Sequence, residues 1–364
     1  FNGAVDIGQG SSTVLLQIAA DALGLPPQAF DMVVGDTDLT EDAGKTSASR
    51  QTFVSGNAAR LAAADLRRKI LALANAGPDA RLTLEGARLT IADGEASRTI
   101  DLGTLPVLPP RQADQRAGRV ERSDDPQAAP VSGAAVGSGL RLTQPTHSPP
   151  LSARSNTVLR GEVENARPVP ETAIMPAQAG THASIRAHDD SDVLEGTGHW
   201  DPPTTPLDAD GQGVPYATYG FAAQMAEVEV DTVLGTTKVL AIVAAHDVGR
   251  AINPTLVEGQ IHGGIAQGLG MALMEEFTPG RTENLHDYLI PTAGDVPPIK
   301  TYLIEDTDPH GPFGAKGVGE PALIATAPAI LSAIRHATGA RLTRTPVLPH
   351  RLWQALRELR GSRA

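Results

Sequence analysis

Cysteine is the most informative absence from this sequence of 364 residues, which contains none. A chain without cysteine forms no disulfide and offers no thiolate ligand to zinc or to an iron–sulfur cluster. Aromatic residues are scarce, at 3% of the chain, and no apolar run is long enough to span a bilayer. These absences exclude folds stabilised by disulfides, metal sites with cysteine ligands and membrane-spanning helices.

Net charge and length limit the binding partners and the number of domains that the sequence can have. The net charge is −12 and the isoelectric point is about 5.3, which disfavours nucleic acid and anionic membrane surfaces as partners. The length favours about two domains with ample core. Because the sequence starts with Phe1 in a strand-like segment and shows no signal peptide, we expect a cytoplasmic piece of a longer polypeptide.

A glycine-rich loop over 314–321 surrounds one carboxylate, Glu320. Pro321 suits the first turn of a helix, and the apolar spacing over 322–334 predicts a helix that stops near Gly339. Glu320 would then lie at a helix N-terminus. It is either a charge that complements the helix dipole or an acid or base that faces a ligand.

Two further turns precede predicted helices. Gly8-Gln9-Gly10 follows the strand-like segment 3–7 and precedes a helix that ends at Gly24, with Ser or Thr at 11–13 as its cap. The turn lacks the third glycine of a dinucleotide fingerprint and the Lys of a P-loop, so a structural turn is one interpretation. Its free N–H groups also suit an anionic ligand.

The second turn is the hydroxyl-rich segment 46–52, which contains Arg50 and leads into a predicted helix over 54–74. One interpretation is a solvated loop that caps the helix. The other is a seat for a phosphate or a pterin, because hydroxyl groups, an Arg and a helix entry all favour anions.

The remaining periodicity predicts an α+β protein. Alternation or apolar runs predict strands at 30–35, 81–84, 88–91, 226–231, 238–247 and 299–304, and helices at 255–276 and 350–359. The helix over 255–276 contains five glycines, each of which costs about 1 kcal/mol relative to Ala. We therefore expect another helix or a bulky cofactor to pack against its backbone.

Periodicity is lost over about 106–193, where Pro, Gly, Ser, Arg and Ala dominate. We interpret this segment as a low-complexity, disordered insertion. The predicted domains are a first lobe over 1–105, the insertion over 106–193 and a second lobe over 194–364.

Taken together, these motifs resemble the molybdopterin-binding large subunit of the xanthine dehydrogenase and aldehyde oxidase family, in its C-terminal portion. The matching segments, which occur in the family's order, are Asp6-Ile7-Gly8-Gln9-Gly10, Ser47-Ala48-Ser49-Arg50-Gln51-Thr52, Ala226-Glu227-Val228-Glu229-Val230-Asp231, His246-Asp247-Val248-Gly249-Arg250-Ala251-Ile252-Asn253-Pro254, Gly259-Gln260, Gln267-Gly268-Leu269-Gly270 and Gly314-Ala315-Lys316-Gly317-Val318-Gly319-Glu320-Pro321. The resemblance covers about 1–105 and 194–358. It implies two related mixed α/β lobes that clasp a molybdenum cofactor.

The resemblance also implies a role for each matching residue. Glu320 is similar to the family's catalytic base, and we expect a dry site around it. The residues implied to bind the molybdopterin are Gly8, Gln9, Gly10, Ser47, Ala48, Ser49, Arg50, Gln51, Gln260, Lys316, Gly317, Val318 and Gly319. No residue is implied as a metal ligand, since the cofactor itself holds the molybdenum.

The implied reaction is the water-derived hydroxylation of an aldehyde or N-heteroaromatic carbon, with hydride transfer to the molybdenum centre. The implied cofactor is molybdopterin in its cytosine dinucleotide form. The implied partners are an iron–sulfur subunit and an FAD subunit on other chains, together with a small-molecule substrate. Two alternatives remain: a catalytically inactive remnant that acts as a scaffold, and a nucleotide-binding module built on Gly8-Gln9-Gly10.

Overall fold

The computed structural model describes residues 1–102, 136–138, 181–184 and 194–361. Helices and strands are mixed along the chain, which confirms the α+β class. The helices are α1 (Ser11–Leu23), α2 (Gly56–Ala74), α3 (Pro254–Leu273), α4 (Pro321–Ile324), α5 (Thr326–Thr338) and α6 (Pro349–Gly361). The strands are β1 (Arg81–Glu85), β2 (Arg88–Asp93), β3 (Ala96–Asp101), β4 (Val136–Ser138), β5 (Thr181–Ser184), β6 (Thr197–Trp200), β7 (Ala222–Asp231), β8 (Thr236–Asp247) and β9 (Ile299–Ile304). Within the part of the chain that is described, no helix is both long and apolar enough to cross a membrane.

The first core packs α1 and α2 against an antiparallel meander, β1-β2-β3. Its centre consists of fully buried aliphatic side chains, among them Leu23, Leu66, Ile70, Leu89 and Ile91. The hairpin of β1 and β2 lies where alternation predicted it. The third strand was not predicted, because almost every side chain of β3 is exposed and its sequence carries no alternating apolar pattern.

The second core packs helices α3, α5 and α6 on one face of the sheet β7-β8-β9. Strand β8 lies in the centre, antiparallel to β7 and parallel to β9. Buried residues of β8 such as Ile242 and Ala244 alternate with partly exposed ones, because the helices cover one face of the sheet and the opposite face bears the exposed side chains of Met225 and Tyr302. Ile242 of β8, Ile265 of α3 and Ile330 of α5 are fully buried in this core.

A third sheet, β4-β5-β6, lies on α2. A Cβ atom added to Gly198 of β6 would lie 2.3 Å from the carbonyl oxygen of Ala58, so this strand contacts the α2 backbone closely. Leu194 and Trp200 pack against the first core, although the predicted boundary at 194 assigned them to the second lobe. Most of the predicted insertion over 106–193 lies outside the described residues, which include β4 and β5 from it.

Two local predictions were wrong. The segments 3–7 and 30–35 form no regular strands: an isolated parallel bridge joins Asn2, just before the first segment, to Val34, and Ile7 is 72% exposed. The predicted single helix after Glu320 is divided into α4 and α5 at Ala325. The cause is Pro328, whose ring would clash with the carbonyl of Ile324 in a continuous helix.

Candidate functional site

A cavity of about 520 Å³ lies between the two cores. Four segments that are distant in sequence line it, within 7–14, 46–52, 248–267 and 315–323. Every residue that the resemblance assigned to the site contributes to this lining, except Gly10. Gly10 lies at the start of α1, where an added Cβ would lie 2.9 Å from the Cδ1 atom of Leu256 on α3. The fold therefore brings the predicted site residues of both lobes together.

Helix α1 is held at its start by Asp6, a residue to which the sequence gave no role of its own. One carboxylate oxygen of Asp6 accepts hydrogen bonds from the N–H groups of Gly8 (2.8 Å) and Gly10 (3.3 Å), and the other accepts from Ser12 (3.0 Å). Burial works against the ionised carboxylate, but these hydrogen bonds together hold the pKa of Asp6 below its usual value. The predicted Ser or Thr cap is absent, because Gly10 is the N-cap and makes no side-chain hydrogen bond.

This arrangement corrects the expectation that the turn offers free N–H groups to an anion. The carboxylate of Asp6 already accepts the N–H groups of Gly8 and Gly10 within the turn. The side chain of Gln9 is likewise engaged: its oxygen accepts from the N–H of Ile7 at 2.6 Å, and its amide donates to the Ser11 hydroxyl at 3.0 Å. An Asp two residues before a glycine in a predicted turn is the sequence signal that would have indicated this cap.

The loop over 46–52 is stabilised by the polar side chains that had been expected to bind an anion. The guanidinium of Arg50 donates to the carbonyl oxygens of Ala43 (3.2 Å) and Lys45 (3.1 Å), and burial lowers its pKa. Gln51 is buried; its amide donates to Thr46 at 3.2 Å and its oxygen accepts from the Ser55 hydroxyl at 2.7 Å. These contacts fix the loop itself, so its backbone remains available to a ligand.

The loop over 315–320 fits directly against this first loop. Ala48 and Ser49 both adopt left-handed backbone conformations, with φ of 55° and 50°. A Cβ atom added to Gly317 would lie 1.6 Å from the carbonyl oxygen of Ser49, so only glycine fits at this contact. The N–H of Glu320 donates a hydrogen bond to the Ser49 hydroxyl at 2.7 Å.

Lys316 lines the cavity, but its ammonium group is bound elsewhere. It donates to the carboxylate of Asp247 at 2.6 Å, and the two side chains are only 8% and 7% exposed. The resemblance placed Lys316 on the pterin side of the site. In the structure its charge is neutralised at the end of β8.

Helix α3 shows why its glycines are tolerated. An added Cβ at Gly264 would lie 2.6 Å from the Cβ of Ala322, and one at Gly268 would lie 2.4 Å from the Cβ of Thr326. These two glycines therefore allow α4 and α5 to approach closely. Gly259 and Gly263 have no atom within 4 Å of an added Cβ, and Gly263 lines the cavity. The expected helix neighbour is therefore confirmed, and packing of a bulky cofactor against this helix stays a prediction.

Two amides on α3 are also open to a ligand. Gln260 and Gln267 line the cavity, and neither side chain has a hydrogen-bond partner among the described residues. An amide that lines a cavity without a partner is suited to bind a polar ligand.

Glu320 lies at the N-terminus of α4, at the edge of the cavity, and its residue is exposed. Its carboxylate makes no capping hydrogen bond to α4, and within the described parts of the chain it has no hydrogen-bond partner. The expectation of a dry site around this carboxylate is therefore wrong for the chain as it stands here. The position leaves the carboxylate free to meet a ligand in the cavity.

Behind α4 lies a buried polar cluster of residues with no predicted role. Gln224 of β7 donates to the carbonyl oxygen of Ala322 at 2.8 Å and accepts from the hydroxyl of Thr326 at 2.7 Å. Its amide nitrogen is 3.2 Å from Nε2 of His246, which is 1% exposed. Burial lowers the pKa of His246, and its Nδ1 atom is buried without a partner in the described structure.

No cluster of His, Asp or Glu within the described ranges could hold a metal ion. The cavity instead offers backbone, amides and one carboxylate. This donor set fits an organic cofactor that brings its own metal ligands.

Comparisons with known proteins identify the family of the chain. The chain matches the family model described as "Molybdopterin cofactor-binding domain" over residues 1–105 and 155–297, so the match resumes inside the segment predicted to be an insertion. It is 28% identical over 360 residues to the putative xanthine dehydrogenase molybdenum-binding subunit XdhA of Escherichia coli (strain K12), which covers 97% of this chain and 37% of that protein. It is 36% identical over 186 residues to an aldehyde oxidoreductase of Megalodesulfovibrio gigas, covering 49% of this chain and 20% of that protein.

A solved structure supports the same relationship at the level of the fold. The aldehyde oxidoreductase from Desulfovibrio gigas superposes with a TM-score of 0.64 at 24% identity, over 98% of this chain and 29% of that chain. The chain thus spans about a third of the length of its full-length relatives. The family match covers more than half of the sequence, and the protein belongs to the molybdopterin cofactor-binding domain family.

Proposed function

We propose that this chain is the cofactor-binding and base-carrying portion of a molybdenum hydroxylase large subunit. The observation that carries the proposal is the cavity itself, which gathers backbone, amides and one free carboxylate from four segments of two lobes. The reaction would be the hydroxylation of an aldehyde or N-heteroaromatic carbon with oxygen from water.

The cofactor would be molybdopterin, in the cytosine dinucleotide form. The backbone of 8–9, 47–49 and 317–319, together with the amide of Gln260, would hold it. When bound, the cofactor supplies the metal, its ligands and the redox chemistry. Arg50, Gln51 and Lys316 would act indirectly, because their side chains are hydrogen-bonded within the protein.

Glu320 would act as the general base. It would accept a proton from the water-derived oxygen nucleophile, which contributes typically about 10²–10⁴-fold to a rate. The carboxylate is suited to this role because it is free of capping and hydrogen-bonding contacts while its backbone is fixed by Ser49.

The proposal includes partner subunits. Since the chain has no cysteine, electrons would leave through an iron–sulfur subunit, and then through an FAD subunit, on other chains. The name of the Escherichia coli relative, a molybdenum-binding subunit, supports the assignment of cofactor binding and electron transfer to different subunits. A cytoplasmic location stays a prediction, as do the domain boundaries at 105 and 193.

One observation favours a second candidate function, an inactive remnant that serves as a scaffold for partner subunits. Glu320 is exposed in this chain, whereas a base in a reactive site is better shielded from water. The remnant would keep the fold and lack turnover.

The experiment that separates these functions is the Glu320→Gln substitution in the chain purified with its co-purifying subunits. Catalysis predicts that turnover of an aldehyde or N-heteroaromatic substrate is lost while the molybdenum content is retained. A matched control is Glu258→Gln, which changes an exposed carboxylate of α3 outside the cavity and should leave both unchanged. No turnover in either the native chain or the Glu320 variant would favour the remnant, and equal turnover in the two would show that Glu320 is not the base.

A further inference from the structure

The Glu320 loop is fixed at its backbone and not at its carboxylate. After Ala315, which forms an antiparallel bridge with Gly249, the chain contacts Ser49 at Gly317 and again at the N–H of Glu320. What sets the position of Glu320 is therefore the path of the backbone from 314 to 320.

Lys316 lies at the start of that path and is anchored twice to the end of β8. Its N–H donates to the carbonyl oxygen of Val248 at 3.0 Å, and its ammonium donates to Asp247 at 2.6 Å. The carboxylate of Asp306 lies 3.8 Å from the same ammonium and is largely exposed. Asp247 is thus the buried partner of this charge.

Asp247 joins the lysine to a tight turn at Gly249. Its second oxygen accepts from the N–H of Gly249 at 3.1 Å, and Gly249 adopts a left-handed conformation with φ of 58°. An added Cβ at Gly249 would lie 2.2 Å from the carbonyl oxygen of Gly314, so strand end and loop are in direct contact. One carboxylate therefore fixes both the turn after β8 and the loop that leads to Glu320.

A buried ion pair is a weak source of stability, because each charge loses its hydration on burial. An apolar pair would hold two segments together equally well. What a charge pair adds is directed geometry, since the ammonium and the carboxylate satisfy each other in one arrangement.

We propose that Lys316 and Asp247 are positioning residues that fix the Glu320 loop against Ser49, and that the Lys316 ammonium does not bind the cofactor. This inference rests on the proposed role of Glu320. Lys316 acts on the reaction only through the path of the loop.

The test uses the full chain with its co-purifying subunits and three variants: Lys316→Met, Asp247→Asn and, as a matched control, Lys300→Met. Lys300 is an exposed lysine of β9 next to Tyr302 and lies outside the cavity. Amide hydrogen exchange of peptides that cover 314–324 reports on the loop independently of turnover. Molybdenum content, kcat and KM are measured on the same preparations.

We expect Lys316→Met and Asp247→Asn to accelerate exchange in 314–324 by about tenfold, as the loss of one net hydrogen bond would. We expect kcat to fall by up to about 100-fold, with KM and molybdenum content within about twofold of the native values. Lys300→Met should change none of these quantities.

Two results would overturn the inference. If Lys316→Met loses molybdenum in proportion to activity while exchange over 314–324 is unchanged, Lys316 binds the cofactor directly. If neither Lys316→Met nor Asp247→Asn alters exchange, the pair does not position the loop. Should Lys316→Met fail to fold, Asp247→Asn decides alone, since it keeps the size and an acceptor oxygen. The exchange result does not depend on Glu320 being the base, so a failure of the proposed function would appear separately, as unaltered turnover in Glu320→Gln.

Discussion

The N–H of Glu320 donates a hydrogen bond to the hydroxyl of Ser49 at 2.7 Å, across 271 positions of sequence. This contact joins the loop before α2 in the first lobe to the loop before α4 in the second. Both loops line the cavity. The two lobes therefore meet at the backbone of the proposed base, and a change on either side of the contact is expected to move it.

Removal of that hydroxyl is the first prediction. Ser49→Ala should lower the free energy of unfolding by about 1 kcal/mol, the net value of one hydrogen bond. It should also accelerate amide exchange at Glu320 and lower kcat, because the loop loses one of its fixed points.

The control for Ser49→Ala is Thr40→Ala, which removes a hydroxyl that bonds only to the carbonyl of Asp36 in an exposed turn. It should cost a similar or smaller free energy without any change at Glu320. If the amide of Glu320 exchanges at the same rate in the native protein and in Ser49→Ala, the hydrogen bond to Ser49 does not hold the loop.

The open face of α3 gives the second prediction. Gly259→Ala and Gly263→Ala both place a methyl group in open space within a helix, so each should stabilise the protein by up to about 1 kcal/mol. Of these two glycines, only Gly263 lines the cavity. Gly263→Ala should therefore reduce molybdenum content, whereas Gly259→Ala should not. The measurements are chemical denaturation and metal analysis, and an equal metal content in both variants would indicate that the cofactor does not contact this face.

The cap of α1 gives the third prediction. Asp6→Ala removes the acceptor of three N–H groups and should cost about 1 kcal/mol of unfolding free energy. The depressed pKa of Asp6 means that its contribution is present above the unfolded pKa of about 3.9 and is lost as pH falls through the lower folded value. Asp21→Ala, an exposed change on the same helix, is the control and should be close to neutral. Equal stability of the two variants at pH 7 would argue against the cap.

Buried His246 gives the fourth prediction, a loss of stability at mildly acid pH. Burial lowers the pKa of His246, so the folded protein favours the neutral ring and the unfolded chain binds the proton more readily. Its contribution is complete above the unfolded pKa of about 6.5 and is lost progressively as pH falls below that value.

The pH dependence of Tm between about pH 5 and pH 8 checks this prediction, across the unfolded pKa of His. His246→Gln should reduce the decline of Tm at acid pH. His262→Gln changes an exposed histidine of α3 and should leave the decline as it is in the native protein. A native Tm that does not change over this range would contradict the prediction.

The elements that could be predicted from sequence are those whose periodicity is local. The apolar spacing of α1 and α2 and the alternation of β1 and β2 each follow from which face is buried. The continuous apolar run of β8 indicated a strand but not that only one of its faces is fully buried. The meeting of the four site segments was implied by the resemblance alone.

The elements that could not be predicted depend on contacts between distant residues. The pairing of Lys316 with Asp247 spans 69 positions, and neither residue carries a local signal for it. The exposure of Glu320 likewise depends on how residues of both lobes pack around it, which the local sequence does not show. The division of α4 from α5 was different, since Pro328 gave a local signal that the apolar spacing outweighed.

The most direct test of this account is the molybdenum content of the chain, purified from its own host with any co-purifying subunits, together with the nucleotide released from the bound cofactor. The account predicts about one molybdenum per chain, from one cofactor in the cavity between the lobes, and release of a cytosine nucleotide. A chain that is folded and bound to its partners yet contains no molybdenum would contradict it, and would identify the protein as a remnant that keeps the fold without the cofactor.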